Sequence, residues 1–163
     1  MKTLEINEAN ALKAYNTGSA KEKTFLEMLF GKEVFTPKKI TDRIKNLEDA
    51  IAEIGGISSN VQTLLNYNGI DQFMIGAQTQ MKLAIITRAL NEDWFPDWED
   101  KNQKKWYPWF NLSSGFAFSA SGYYGSRTTA GVGSQLCFRS QELSDYAGQQ
   151  FELLYKDLLT LKY

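Results

Sequence analysis

The apolar residues of this chain change their spacing along its length, and these changes restrict the fold class. Up to about Leu90 they recur every three or four positions, which is typical of amphipathic helices. Beyond Asn111 they alternate with small polar residues, as in "GFAFSA", which is typical of half-buried strands. The helical spacing returns after Ser140. The sequence therefore predicts an α+β fold with a helical N-terminal half.

One apolar seam in the helical half is especially regular. Its members alternate spacings of four and three residues: Ile40, Ile44, Leu47, Ile51 and Ile54. Because two glycines, Gly55 and Gly56, follow as a stop signal, we expect one continuous helix along this seam.

Two other helices are predicted from capping signals and apolar spacing. Ser19 and Glu22 have capping-box spacing, and Gly31 supplies a stop, so a helix is predicted between Ser19 and Gly31. A longer helix with a wide apolar face is predicted over residues 72–94. The stripe that we expect the first of these helices to bury consists of Phe25, Leu26, Leu29 and Phe30.

The second half of the chain predicts a small three-stranded antiparallel sheet. Its strands are expected at residues 105–112, 115–120 and 132–140, and a helix after Ser140 presents an apolar stripe to the sheet. We expect the sheet to pack against the central and C-terminal helices. A length of 163 residues fits a single domain over 1–163, in which residues 1–90 are helical and residues 91–163 hold the sheet and the C-terminal helix.

The composition excludes several kinds of catalytic and metal site and identifies none. The chain has no histidine, which removes the commonest general base and the commonest metal ligand. Cys137 is the one cysteine and is predicted to be a packed, inert thiol inside a strand. The carboxylates after Leu90 lack the spacing of a calcium loop and are expected to form a solvated turn. We therefore expect no enzyme activity, no metal site and no cofactor.

All four tryptophans lie within residues 91–110, among acidic and basic side chains. The first interpretation is that they anchor the core or an interface, because large aromatics contribute burial energy. The alternative is a nucleic-acid platform in which bases stack on the rings. The basic residues that would bind the phosphates in that alternative are Lys38, Lys39, Arg43, Lys104 and Lys105.

A contact surface for a partner is predicted in the Gly/Ser-rich segment 113–134. Tyr123 and Tyr124 are expected at a hairpin tip with Arg127 beside them, an arrangement that supplies rigid contact area and one planar charge. The alternative for this segment is a plain hairpin connection whose tyrosines fold back onto the sheet.

Five segments, taken in order, resemble a family of small uncharacterised proteins encoded by tailed phages and prophages of gut Bacteroidales. The resemblance spans nearly the whole chain and implies an accessory or virion gene of phage origin, but it transfers no site residue. The segments are "LFGKEVF", "ITDRIKNLEDA", "KLAIITRALNEDWFPDW", "KKWYPWF" and "VGSQLCFRSQELSDYAGQQFELLYKDLL".

These features together predict a non-enzymatic, phage- or prophage-encoded module that binds a host or phage protein. Nucleic-acid binding and small-ligand binding are the alternatives. The start of the chain has no apolar run of the signal-peptide type, and no later stretch approaches the roughly twenty apolar residues of a membrane span. We therefore expect a cytoplasmic or virion location and no membrane association.

Overall fold

The structure is a computed structural model that describes residues 7–36, 38–68, 71–113, 115–125 and 133–161. The chain divides into two compact units, Met1–Lys39 and Ile40–Tyr163. The first described element of each unit is a helix, and strands occur only in the second half of the described chain, so the protein is α+β with a helical N-terminal half.

The first unit contains α1, Glu8–Thr17, α2, Ala20–Phe30, and a 3₁₀ helix at Lys32–Phe35. The predicted start of α2 is confirmed, because the Ser19 N–H donates to Glu22 Oε2 at 2.7 Å. The predicted buried stripe is wrong, since α2 buries none of its residues and leaves Phe25 and Leu29 mostly exposed.

The second unit contains six described α-helices around one apolar core. They are α3, Ile40–Arg43; α4, Leu47–Glu53; α5, Ser59–Leu65; α6, Gln72–Asn91; α7, Gln141–Gln150; and α8, Glu152–Thr160. The long helix α6 contacts α4, α5, α7 and α8, as expected for the central helix.

The regular seam does not lie on one helix, because the chain leaves helical geometry between α3 and α4. Asn46 is in extended conformation, and its Oδ1 accepts from the Asp49 N–H at 2.8 Å. Asp49 Oδ2 accepts in return from the backbone of Lys45 and Asn46. This reciprocal cap begins a new helix at Leu47, so the prediction of a continuous helix was wrong.

The sheet has two antiparallel strands in the described residues, not the three that were predicted. Strand β1, Lys105–Asn111, pairs with β2, Ala117–Tyr124, with a bulge between Trp109 and Phe110.

The segment expected to be the third strand forms a 3₁₀ helix, Ser134–Leu136, and then a single bridge between Phe138 and Trp106. Leu136, Cys137 and Phe138 are all buried. A strand with one exposed face buries alternate residues, so three successive buried residues favour an irregular path.

The C-terminal helix packs on the sheet as predicted but is interrupted. Gly148 of α7 lies so close to the strands that a Cβ there would be 2.3 Å from Phe118 Cδ2. The helical segment breaks at Phe151, where α8 begins. Leu143, Ala147 and Phe151 are buried in the core with Phe138.

Candidate functional site

The described part of the second unit contains a cleft of about 630 Å³ beside α6, here called the α6 cleft. Three stretches of chain form its walls: one face of α6, the α4–α5 junction, and the irregular segment that follows α6. The sequence patterns did not predict this cleft.

The first wall is one side of α6. Met81, Ala84, Ile85 and Arg88 follow each other at spacings of three, one and three residues, which places them on one side of a helix. Ile85 is buried, Met81 and Ala84 are partly exposed, and Arg88 is exposed. The wall therefore changes from apolar to charged toward the C-terminal end of α6.

The second wall is the junction between α4 and α5, which contributes Ile54, Ile57 and Val61. Gly55 and Gly56 adopt φ of +78° and +99°, a region that glycine enters without strain. Gly56, one of the two glycines that predict a helix stop, therefore also lines the cleft.

The third wall is the segment after α6, which contributes Trp94, Phe95 and Pro96. Side chains fix this irregular segment in place. Gln103 Oε1 accepts from the Asp97 N–H at 2.6 Å, and the Trp98 indole N–H donates to Ser134 Oγ at 2.7 Å. These bonds hold the aromatic wall without a helix or strand.

Asn91, at the end of α6, connects the helix to the bridge segment. Its Nδ2 donates to the Cys137 carbonyl at 2.7 Å, and its Oδ1 accepts from the Arg139 N–H at 3.0 Å. The next residue, Glu92, has φ of 55° and forms ion pairs with Arg139 and Arg43. The C-terminal end of α6 is therefore fixed by polar contacts as well as by the apolar packing of Ala89 and Leu90.

Arg88 is the charged residue among those that line the α6 cleft. Within the described ranges its guanidinium forms no hydrogen bond or ion pair. Its carboxylate neighbours, Glu53 and Glu92, are ion-paired with other arginines. A free guanidinium at the edge of an apolar cleft can donate several hydrogen bonds to an anion.

Thr87 also contributes to this wall and is almost completely buried. Its Oγ1 has no hydrogen-bond partner in the described structure. A buried hydroxyl without a partner lowers stability by about 1–3 kcal/mol, because it loses water and gains nothing in exchange.

The predicted partner-binding tyrosines lie in β2, not at a hairpin tip. The Tyr124 ring stacks on Tyr107 at 4.3 Å, and Tyr123 is 50% exposed with its ring 4.9 Å from Trp106. Strand β2 is longer than the sequence pattern indicates and includes both residues. Arg127 is outside the described residues.

The tryptophan-rich segment is only partly an anchor. Trp106 packs against the core cluster. Trp109 and Phe95 are 57% and 69% exposed, so these two rings do not anchor the core, and an interface role for them stays a prediction. Trp109 lies over Gly122, where a Cβ would meet its indole nitrogen at 2.5 Å.

The basic residues of the nucleic-acid alternative are divided between the two units. Lys38 and Lys39 are exposed in the first unit. In the second unit Arg43 pairs with Glu53 and Glu92. Lys104 is exposed, with its ammonium nitrogen 4.7 Å from the centre of the Tyr123 ring.

Lys105 is fully buried, and its Nζ donates to the Asp100 carbonyl at 2.7 Å. The Nζ of this buried side chain therefore contacts a backbone carbonyl rather than facing solvent. Binding of phosphates by the predicted set stays a prediction.

The acidic segment and the cysteine have structural contacts. Asp97 Oδ1 and Asp100 Oδ1 accept from backbone N–H groups two residues ahead, at 2.8 Å each, which forms the turns that were predicted. Burial raises the pKa of the Cys137 thiol to about 11, although Lys105 lowers it in part. In the described ranges no cluster of three or more metal-binding side chains occurs.

No family model, curated protein or solved structure matches this chain. The predicted phage origin therefore stays a prediction. None of the described helices combines the length and the apolar character needed to cross a bilayer.

Proposed function

We propose that this protein binds a small, largely apolar molecule in the α6 cleft. The observation that carries this proposal is the cleft itself, about 630 Å³ in volume with aliphatic and aromatic walls. Small-molecule sites in proteins are commonly apolar concavities of about 300–1,000 Å³ with a few polar groups. Of the three predicted functions, small-ligand binding fits this geometry best.

A binding role, rather than a catalytic one, is supported by the groups at the cleft. Among its described lining residues, Arg88 is the titratable one, and guanidinium is a poor proton acceptor. Ser58 and Ser134 bring hydroxyls, and both already accept hydrogen bonds, from the Val61 N–H and the Trp98 indole. Activation of a hydroxyl needs a base within hydrogen-bond reach, and the described lining does not supply one.

Protein binding at β2 is a second proposal, supported by the exposed part of Tyr123. Its ring lies 4.7 Å from the Lys104 Nζ and 4.9 Å from the Trp106 ring, measured from the ring centre. Rigid aromatic rings beside a charge are favourable contact groups at interfaces. The phage-encoded, host-directed module predicted from the sequence would use this surface.

A substitution that fills the α6 cleft tests the first proposal. Ala84 lies on the cleft wall, so Ala84→Trp is expected to occupy the space that a ligand would use. Titration with the neutral fluorescent probe N-phenyl-1-naphthylamine should show saturable binding to the wild type and its loss in this variant.

The matched control is Ala77→Trp, which adds the same side chain at an exposed position of α6 that does not line the cleft. This control should bind the probe as the wild type does. Circular dichroism must show both variants folded. Equal probe binding by folded Ala84→Trp and wild type would contradict the proposal.

A further inference from the structure

We infer that the ligand of the α6 cleft is an organic anion with a single negative head group and an apolar body, and that Arg88 binds the head group. This inference rests on the proposed function and adds the chemical class of the ligand. Its basis is the position of Arg88. Among the described residues that line the cleft, its unpaired guanidinium is the one charged group, and it lies at the exposed end.

The apolar body has a defined place in the cleft. Ile85 is buried on the α6 side, and Ile57 and Val61 are partly buried across from it. Each buried methylene of a ligand contributes about 0.8 kcal/mol, so an alkyl or aryl body gains binding energy at these walls. Arg88 is exposed, so the charged end of the ligand stays near water.

The charges around Arg88 leave its guanidinium available. A smaller depression next to the cleft brings Glu53, Glu92 and Asp93 near it. Glu53 pairs with Arg43, and Glu92 pairs with Arg43 and Arg139, so these two carboxylates already have partners. Asp93 is exposed, and water screens its charge.

The planar fork of arginine fits a carboxylate, which can accept two parallel hydrogen bonds from it. Arg88 also lies in the last turn of α6, where any cation compensates the helix dipole. The dipole role alone predicts no preference between charged and neutral ligands. A comparison of matched ligands therefore distinguishes the two explanations.

The experiment uses the full chain and two probes of equal chain length, decanoate and decanol. Their affinities are measured at pH 7 by displacement of N-phenyl-1-naphthylamine. We expect the wild type to bind decanoate about tenfold more tightly than decanol, the size of effect that one charge-assisted pair produces. The preference should shrink as salt is added, because the pair is near solvent.

Two variants assign the preference to Arg88. Arg88→Gln should remove the preference for decanoate and leave decanol binding unchanged. Lys82→Gln removes a charge from the same helix at a position outside the cleft lining, so it should keep the preference. Because Arg88 makes no described hydrogen bond or ion pair, its replacement should lower the melting temperature only slightly, through the lost interaction with the helix dipole.

The possible failures are distinguishable. Equal binding of decanoate and decanol by the wild type would overturn the anion inference and leave the apolar site intact, as would an unchanged preference in Arg88→Gln. Failure of the neutral dye to bind the wild type would overturn the proposed function as well.

Discussion

The two faces of α6 are both apolar in sequence, yet the fold uses them in opposite ways. On one face Leu83, Ile86 and Leu90 are buried to 1% exposure or less. On the other face Met81 and Ala84 are partly exposed and line a cleft. The two faces differ in what lies across from them.

The buried face meets side chains that fill the space. Leu83 packs with Leu136 and Tyr155, and Ile86 and Leu90 belong to the main core cluster. The cleft face meets the α4–α5 junction and the segment after α6, which leave about 630 Å³ between them. When a ligand covers an apolar wall that has no facing neighbour, the wall leaves water and the free energy falls. Hydrophobicity alone therefore does not identify the core.

The largest expected effect is on stability, when a side chain on each face of α6 is shortened to alanine. Leu83→Ala should lower the free energy of unfolding by about 2–5 kcal/mol, because it leaves a cavity in a filled core. Met81→Ala should lower it by less than half as much, because Met81 already borders open space. Urea denaturation of both variants measures the difference. Equal losses would show that the two faces are equally packed.

Replacing one alanine on each face by tryptophan tests the same contrast by adding volume instead of removing it. Ala89 is 1% exposed in the core, so Ala89→Trp should lower the free energy of unfolding by about 1–3 kcal/mol or more through overpacking. Ala84→Trp should change it by less than about 1 kcal/mol, because the cleft accommodates the ring. If thermal melts showed equal destabilisation by the two variants, the cleft could not hold a ligand.

The smallest expected effect concerns two buried threonines of α6. Thr87→Val removes a hydroxyl without a described partner and should raise stability by about 0.5–1 kcal/mol. Thr79 is buried too, but its hydroxyl donates to the Ile75 carbonyl at 2.9 Å. Thr79→Val is the matched control and should not stabilise. A loss of stability in Thr87→Val would indicate that its hydroxyl has a partner in solution.

Local signals predicted two helices correctly, α2 and α6. Ser19 with Glu22 predicted the start of α2, and the wide apolar face over residues 72–94 predicted the long helix α6. Errors arose where a local cap competed with a longer apolar pattern. Asn46 begins a new helix inside the regular seam, because its capping bonds with Asp49 stabilise a break there.

The candidate site was not predictable as a site, although its parts are visible in the sequence. Arg88 is a charged residue that follows Met81, Ala84 and Ile85 at helical spacing. This pattern indicates a charged group at the edge of an apolar helix face. Nothing in the local pattern indicates that Trp94 and Ile57 lie around the same space. The cleft needs three stretches separated along the chain, and only packing brings them together.

The sequence by itself determined the α+β class, the helical first half and the central position of α6, because spacing and capping act over a few residues. The tertiary structure decided which apolar surfaces are core, which aromatic rings are exposed, and where β2 ends. It also decided that Lys105 is buried while Arg88 is exposed, although both are basic residues beside apolar ones. The physical reason is that burial is a property of the facing surface, and a facing surface comes from distant chain.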